Sequence, residues 1–193
     1  MRVVLASGNT HKVSELQALL PTLSLVGQDE FGIASVPETG TTFIENALIK
    51  ARHAASQSGL AALADDSGLV VPALGGAPGI YSARYAGVGA SDADNNRKLL
   101  TALADSTQRD AFFYCCLVLL QHADDPTPVV ATGRWHGEIA LAPSGSEGFG
   151  YDPLFMVSGH LKTAAQLSQD EKGRLSHRGL AARHLHNLLS PDA

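Results

Sequence analysis

LAALADDSGL, Leu60–Leu69, places two carboxylates, Asp65 and Asp66, directly behind an apolar run and ahead of a Ser-Gly pair. The run reads as a buried strand. Ala61–Ala64 and Leu69–Val71 are accordingly expected as two strand pieces around an acidic corner. Charge at the tip of a core strand needs a compensating partner, because an ionised group removed from water is costly. A hard cation is one such partner: Mg2+ typically takes one or two carboxylates while a substrate's phosphates complete its shell. The other reading makes both acids solvated turn residues, with Ser67-Gly68 as the turn. Side chains alternate along a strand, so only one of Asp65 and Asp66 can face a given site.

The elements on either side of this stretch interleave strand and helix. Val3–Ala6 is a short β-branched strand, and Val13, Leu16, Leu19 and Leu20 then mark one face of a helix that Pro21 ends. Thr42 and Glu45 form a capping-box pattern ahead of Ile44, Ala47, Leu48, Ala51, Ala54 and Ala55, a helical stripe that stops near Gly59. GGAPGIYSARYAG, residues 75–87, is too rich in glycine and proline for either element and reads as a shaped loop. A short helix fits Asp94–Leu103. Phe112–Gln121 and Val129–Ile139 read as a hairpin around the polar turn HADDPTP, and the Gly/Pro-rich segment Pro143–Pro153 follows. Thr163 with Gln166 signals another helix start, and Leu180, Arg183, Leu185 and Leu188 mark a closing helix. Interleaved elements with one hairpin predict an α/β fold with a mixed sheet flanked by helices, in a single domain over residues 1–193.

Bulk properties exclude several classes. With 14 Lys+Arg against 19 Asp+Glu the chain has a net charge of -5, without the basic excess that a nucleic-acid polymer or an anionic membrane requires. Any nucleotide-like ligand is therefore expected to be small. The longest apolar stretch, Phe112–Leu120, is far short of a membrane span, and MRVVLASGNT lacks a signal-peptide core, so a soluble cytoplasmic protein is expected. Cys115 and Cys116, adjacent on a strand, face opposite ways, and there is no second cysteine pair to complete a zinc site. They are expected as buried core thiols. His184 and His186, two apart on a helix, do not share a face and make no metal pair.

Three loops carry candidate chemistry. SGNTHK, that is Ser7, Gly8, Asn9, Thr10, His11 and Lys12, joins the first strand to the first helix. Gly8 lets backbone N–H groups face a ligand, the helix N-terminus favours an anion, and Lys12 adds a full positive charge. It reads as a phosphate cradle or as an ordinary strand-to-helix connection, since neither common phosphate-loop motif is present. The acidic corner is the second. The third is EGFGYDP, Glu147–Pro153, with SHR, Ser176–Arg178, at the start of the last helix. Phe149 and Tyr151 read as faces for stacking a base or as loop anchors, while Arg or Asp can read base edges.

Taken together, six ordered blocks resemble the pyrophosphatases that act on non-standard purine nucleoside triphosphates such as ITP, dITP and XTP. The blocks are SGNTHK at 7–12, ETGTTFIENALIKA at 38–51, ADDSGL at 64–69, GGAPGIYSARYAG at 75–87, GFGYDP at 148–153 and EKGRLSHR at 171–178. The resemblance implies a two-lobed α/β homodimer that uses Mg2+ to hydrolyse the α-β phosphate link, giving a nucleoside monophosphate and pyrophosphate. It implies Asp66 as metal ligand and proton acceptor, with Glu38 helping to hold the metal. Ser7 to Lys12, Lys50 and Ser67 would hold phosphate. Phe149, Gly150, Tyr151, Asp152, Lys172, His177 and Arg178 would handle the nucleotide, Arg178 as a donor to the 6-oxo group that ITP has and ATP lacks. Gln166 and Gly173 depart from the family's common Glu and Asn. Two other classes fit single loops: a regulatory nucleotide-binding module, which needs no acid at the phosphates, and a metal phosphomonoesterase, which needs no aromatic base clamp.

Overall fold

The computed structural model describes residues 1–190, with the side chain of His11 outside the described residues. Six strands form one sheet in the order β2-β1-β3-β4-β5-β6. They are β1 (Arg2–Leu5), β2 (Ser24–Gly27), β3 (Ala61–Val70), β4 (Asp110–Leu120), β5 (Val129–Ile139) and β6 (Phe155–Val157). β1 pairs in parallel with β2 and with β3, whereas β5 and β6 are antiparallel, which makes the sheet mixed as the element order predicts. The helices are α1 (Thr10–Leu19), α2 (Phe43–Ser58), α3 (Asp92–Ala102), α4 (Gln169–Leu175) and α5 (His177–Leu189).

The chain divides into two compact units. The first comprises Met1–Ser67, Cys115–Gly133 and the chain from His177 onward; the second comprises Gly68–Tyr114 and Arg134–Ser176. The first unit's core joins Val3 and Leu5 of β1, Leu16 of α1, Leu63 of β3, Leu117 and Leu119 of β4, and Leu185 of α5. Its best-specified helix is α2. Thr42 Oγ1 accepts from the Glu45 amide, Glu45 Oε2 accepts from the Thr42 amide, and Gly59 closes the helix in the left-handed conformation at φ 69°. Ala47, Ala51, Ala54 and Ala55 are its buried stripe. The second unit's core is built on Phe113, Trp135 and Phe155, with ring centroids 4.6 Å apart for Phe113–Phe155 and 5.2 Å for Trp135–Phe155. Gly137 lets β6 approach, because a Cβ there would stand 2.2 Å from the Met156 carbonyl oxygen.

Two sequence expectations change, and two strands go unread. The acidic corner is no corner: β3 runs unbroken through Asp65, Asp66, Ser67 and Gly68. A continuous pleat is possible because each acid meets cations on its own face of the strand, so neither has to escape into a turn. Thr163 and Gln166 do form a capping box, but behind it stands only the 3-10 turn Ala164–Gln166. Leu167 is extended and buried, and the helix starts afresh at Ser168 with a second box to Glu171. The short strands β2 and β6 carry too few residues for a period to register. The hairpin reading holds, with β5 at the expected bounds and joined to its neighbour β4 through residues 121–128.

Candidate active site

Asp65 is fully enclosed. Its Oδ2 lies 3.1 Å from Arg178 Nε and 3.3 Å from Lys12 Nζ, and its Oδ1 accepts a hydrogen bond from Ser67 Oγ. The thiol of Cys115 lies 3.5 Å from the same Oδ1. Burial works against ionisation here, but Lys12, then Arg178, the Ser67 hydroxyl and Lys50 outweigh it and hold the carboxyl well below the usual range. Arg178 in turn donates Nη1 to Glu15 Oε2 at 2.8 Å. Burial opposes the charge on Arg178 as well, and Asp65 and Glu15 together reverse that and raise its pKa.

Asp66 faces the other way. Its Oδ1 accepts from Lys50 Nζ at 2.8 Å, and the same ammonium reaches Glu38 Oε1 at 2.8 Å and the Asp65 carbonyl at 2.9 Å. Burial pushes the Asp66 carboxyl up, beyond what Lys50 restores, and the negative charges of Glu38 and Asp65 add to the rise. Asp66 Oδ2 is buried with no hydrogen-bond partner among the described residues. An orphaned carboxylate oxygen is costly to maintain, and its natural complement is a ligand or ion. α2 supplies Lys50, and the segment before it supplies Glu38. Gly40 pins that segment, donating its amide to Asn46 Oδ1 at 2.9 Å where a Cβ would stand 2.5 Å from Glu45 Cβ.

The loop before α1 is tied by its own side chains. Ser7 Oγ accepts from the Asn9 amide at 3.1 Å, and Asn9 Oδ1 accepts from the Lys12 amide at 3.2 Å, as an N-cap does. Thr10 begins α1 and is exposed. Gly8 faces the exposed carboxylate of Asp29, 3.3 Å from where a Cβ would sit, so the loop is not uniformly electropositive. His177 and Arg178 open α5. Gly133 of β5 makes room for that helix start, since a Cβ there would meet the His177 carbonyl oxygen at 2.1 Å. All these residues belong to the first unit.

Within the second unit, Asp152 Oδ2 accepts from Lys172 Nζ at 2.7 Å and from the Phe149 amide at 3.0 Å. Lys172 Nζ stands 5.9 Å from the Phe149 ring centroid, and Phe149 is 45% exposed. The two aromatics part company here. Tyr151 is a core residue whose hydroxyl donates to the Ser82 carbonyl at 2.8 Å, so it anchors the loop and offers no stacking face. Its exposed neighbour does.

Against the sequence reading, Asp65 and Glu15 are the main additions. Glu15 stands three residues after Lys12 on α1, a spacing that puts both on one face and was there to be noticed. Ser67, expected at phosphate, is engaged by Asp65, and Arg178, expected at a base edge, has Nε and Nη1 taken by Asp65 and Glu15. Both cysteines are buried thiols, as expected; Cys116 is pushed up to about 12, by burial first and then by Asp66 and Asp65.

Among the described residues no three His, Cys, Asp or Glu side chains converge as a ready-made metal cage. The oxygen donors of Asp66 and Glu38 nevertheless suit a hard cation that completes its shell with phosphate oxygens, and the unpartnered Asp66 Oδ2 is where it would fit.

A mixed α/β sheet with cations gathered on two strand carboxylates defines the class. The chain belongs to the Ham1 family, which matches residues 3–188. It is 56% identical over 192 residues to a dITP/XTP pyrophosphatase of Shigella flexneri, covering 97% of this chain and 98% of the relative. A dITP/XTP pyrophosphatase of Coxiella burnetii is 50% identical over 194 residues, covering 98% and 97%. The solved structure of a HAM1 protein from Coxiella burnetii superposes with a TM-score of 0.94 at 49% identity over 99% of both chains, and the Staphylococcus aureus Ham1 protein with 0.90 at 42% over 100% of both.

Proposed function

We propose that this chain hydrolyses non-standard purine nucleoside triphosphates, dITP, XTP and ITP, at the α-β phosphate link, releasing the nucleoside monophosphate and pyrophosphate. The observation that carries the reading is Asp66: a carboxylate raised by burial, bonded through one oxygen to Lys50 and with the other buried and unpartnered. Family membership and the relatives' names supply the substrate class.

On this reading Lys12, Lys50 and the backbone N–H groups of Ser7 to Lys12 neutralise the polyphosphate. Asp66 accepts the proton from the water that attacks the α-phosphorus, and a raised carboxyl is better matched to that task than an ordinary one. Lys50 holds Glu38 and Asp66 together against their repulsion, which keeps both oriented before substrate arrives. A divalent ion, Mg2+ by the resemblance, would be held by Asp66 with Glu38 and would supply charge stabilisation at the phosphates. By the resemblance, Phe149 would stack on the base, with Asp152, Lys172 and the backbone of Gly150 and Tyr151 around it, and His177 and Arg178 would contact the nucleotide. A donor-only group rejects adenine, whose 6-amino group is also a donor. With Nε–H donated to Asp65 and one Nη1–H to Glu15, Arg178 serves that role through its remaining guanidinium N–H groups. The same resemblance supports a cytoplasmic homodimer.

Incubation with dITP and Mg2+ separates the classes. Pyrophosphate is the expected product; orthophosphate would point to a phosphomonoesterase, and tight binding without product to a regulatory module. Excess chelator is expected to abolish turnover and Mg2+ to restore it, and full turnover in chelator would overturn the metal assignment.

A further inference from the structure

Asp92 and Asn96 lie one turn apart on α3, on one face of the helix. Both reach Gly150. Asp92 Oδ2 accepts from the Gly150 amide at 2.6 Å, and Asn96 Nδ2 donates to the Gly150 carbonyl at 2.9 Å. Gly150 is in the left-handed region at φ 62°, and so is Gly148 on the far side of Phe149, at φ 81°. Gly148 is also pressed against Asp152, where a Cβ would stand 2.1 Å from Oδ2. The Phe149 amide is itself bound by Asp152. An exposed ring is thus mounted on a backbone held on both sides, although exposed loops are ordinarily the mobile part of a fold.

The start of α3 is closed without the bonds of Asp92 and Asn96 to Gly150, by the Ser91–Asp94 capping box. Asn95, the neighbour, serves the 79–90 loop instead, bonding the Ala86 amide and the Ala83 carbonyl. Asn96 even leaves its Oδ1 buried without a partner among the described residues while its Nδ2 stays on Gly150. A side chain that gives up its own acceptor to keep one backbone carbonyl in place marks a position where loop geometry matters.

We propose that Asp92 and Asn96 are positioning residues for the substrate: by gripping both backbone groups of Gly150 they fix the presentation of Phe149, so that the base meets a ring already in place. The inference rests on the reading that Phe149 stacks on the base. Preordering the loop lowers the ordering cost at binding, so its loss falls on KM and leaves the chemical step alone.

The test compares wild type with Asp92→Ala, Asn96→Ala and Asp92→Asn, the last of which keeps an acceptor for the Gly150 amide while removing the charge. Hydrogen exchange at Gly150 is read on the protein alone, and kcat and KM on dITP with Mg2+. The alanine variants are expected to speed Gly150 exchange about tenfold and raise KM for dITP about tenfold, with kcat within about twofold and an unchanged thermal midpoint. Asp92→Asn is expected to recover most of both. Faster exchange with unchanged KM, a fall in kcat that tracks a falling thermal midpoint, or an Asn variant no better than Ala would each overturn the proposal. A wild type inert toward dITP but with the exchange pattern intact would fell the functional reading, and with it the link to substrate, while leaving the clamp itself standing.

Discussion

Asp65 and Asp66 are neighbours in one strand, yet their surroundings are opposite in kind. Asp65 has every visible demand met: Arg178, Lys12, Ser67 and the Cys115 thiol surround it, and its carboxyl is held down. Asp66 is met on one oxygen by Lys50 and left unanswered on the other, and its carboxyl is held up. The pleat makes the division possible by turning consecutive side chains to opposite faces. One acid completes the architecture and the other keeps capacity for a ligand. Adjacent identical residues can therefore carry different duties, and their partners in space separate them.

The largest expected effect comes from removing the unanswered acid. Asp66→Asn keeps the shape but neither accepts a proton nor supplies charge, so turnover is expected to fall ~100-fold to 10,000-fold with the thermal midpoint nearly unchanged. Turnover near wild type would transfer the catalytic role away from Asp66. Asp65→Asn is expected to do the reverse in kind. It leaves Arg178 and Lys12 facing a neutral amide inside the protein, and breaking a buried ion pair from one side costs ~3 to 5 kcal/mol, to be read as a drop in urea-unfolding free energy. A stable Asp65→Asn protein would erase the contrast. Ser67→Ala removes one hydrogen bond to the same buried charge and is expected to cost ~1.5 to 3 kcal/mol in the same measurement. If it costs nothing but raises KM, Ser67 belongs to the substrate and not to Asp65.

How much could be read in the chain follows the range of the interactions. α2 was legible from Thr42, Glu45 and Gly59, because caps and apolar period act within a few residues. β5 was legible because alternation runs along it. The continuity of β3 was not, since two adjacent acids in mid-strand are tolerable only with cations brought from elsewhere. Arg178 reaches Asp65 across 113 positions and Glu15 across 163, distances at which no local pattern speaks. Phe149 and Tyr151 looked alike in a glycine-rich loop, and they were told apart by the Ser82 carbonyl, 69 positions from Tyr151. The resemblance of six ordered blocks identified the family and singled out Asp66, but it gave no role to Asp65 or to the cations gathered on it.

The two thiols beside this acid pair act as a concealed alarm. Burial pushes Cys116 up to about 12 and pushes Cys115, buried against Asp65, up as well, so both stay thiols at neutral pH. Peroxide and alkylating reagents, which attack thiolate, should pass over the intact protein. Only opening of the sheet around Asp65 and Asp66 exposes these sulfurs and returns them to ordinary reactivity, so the rate of thiol labelling counts how often the centre of the first unit comes apart.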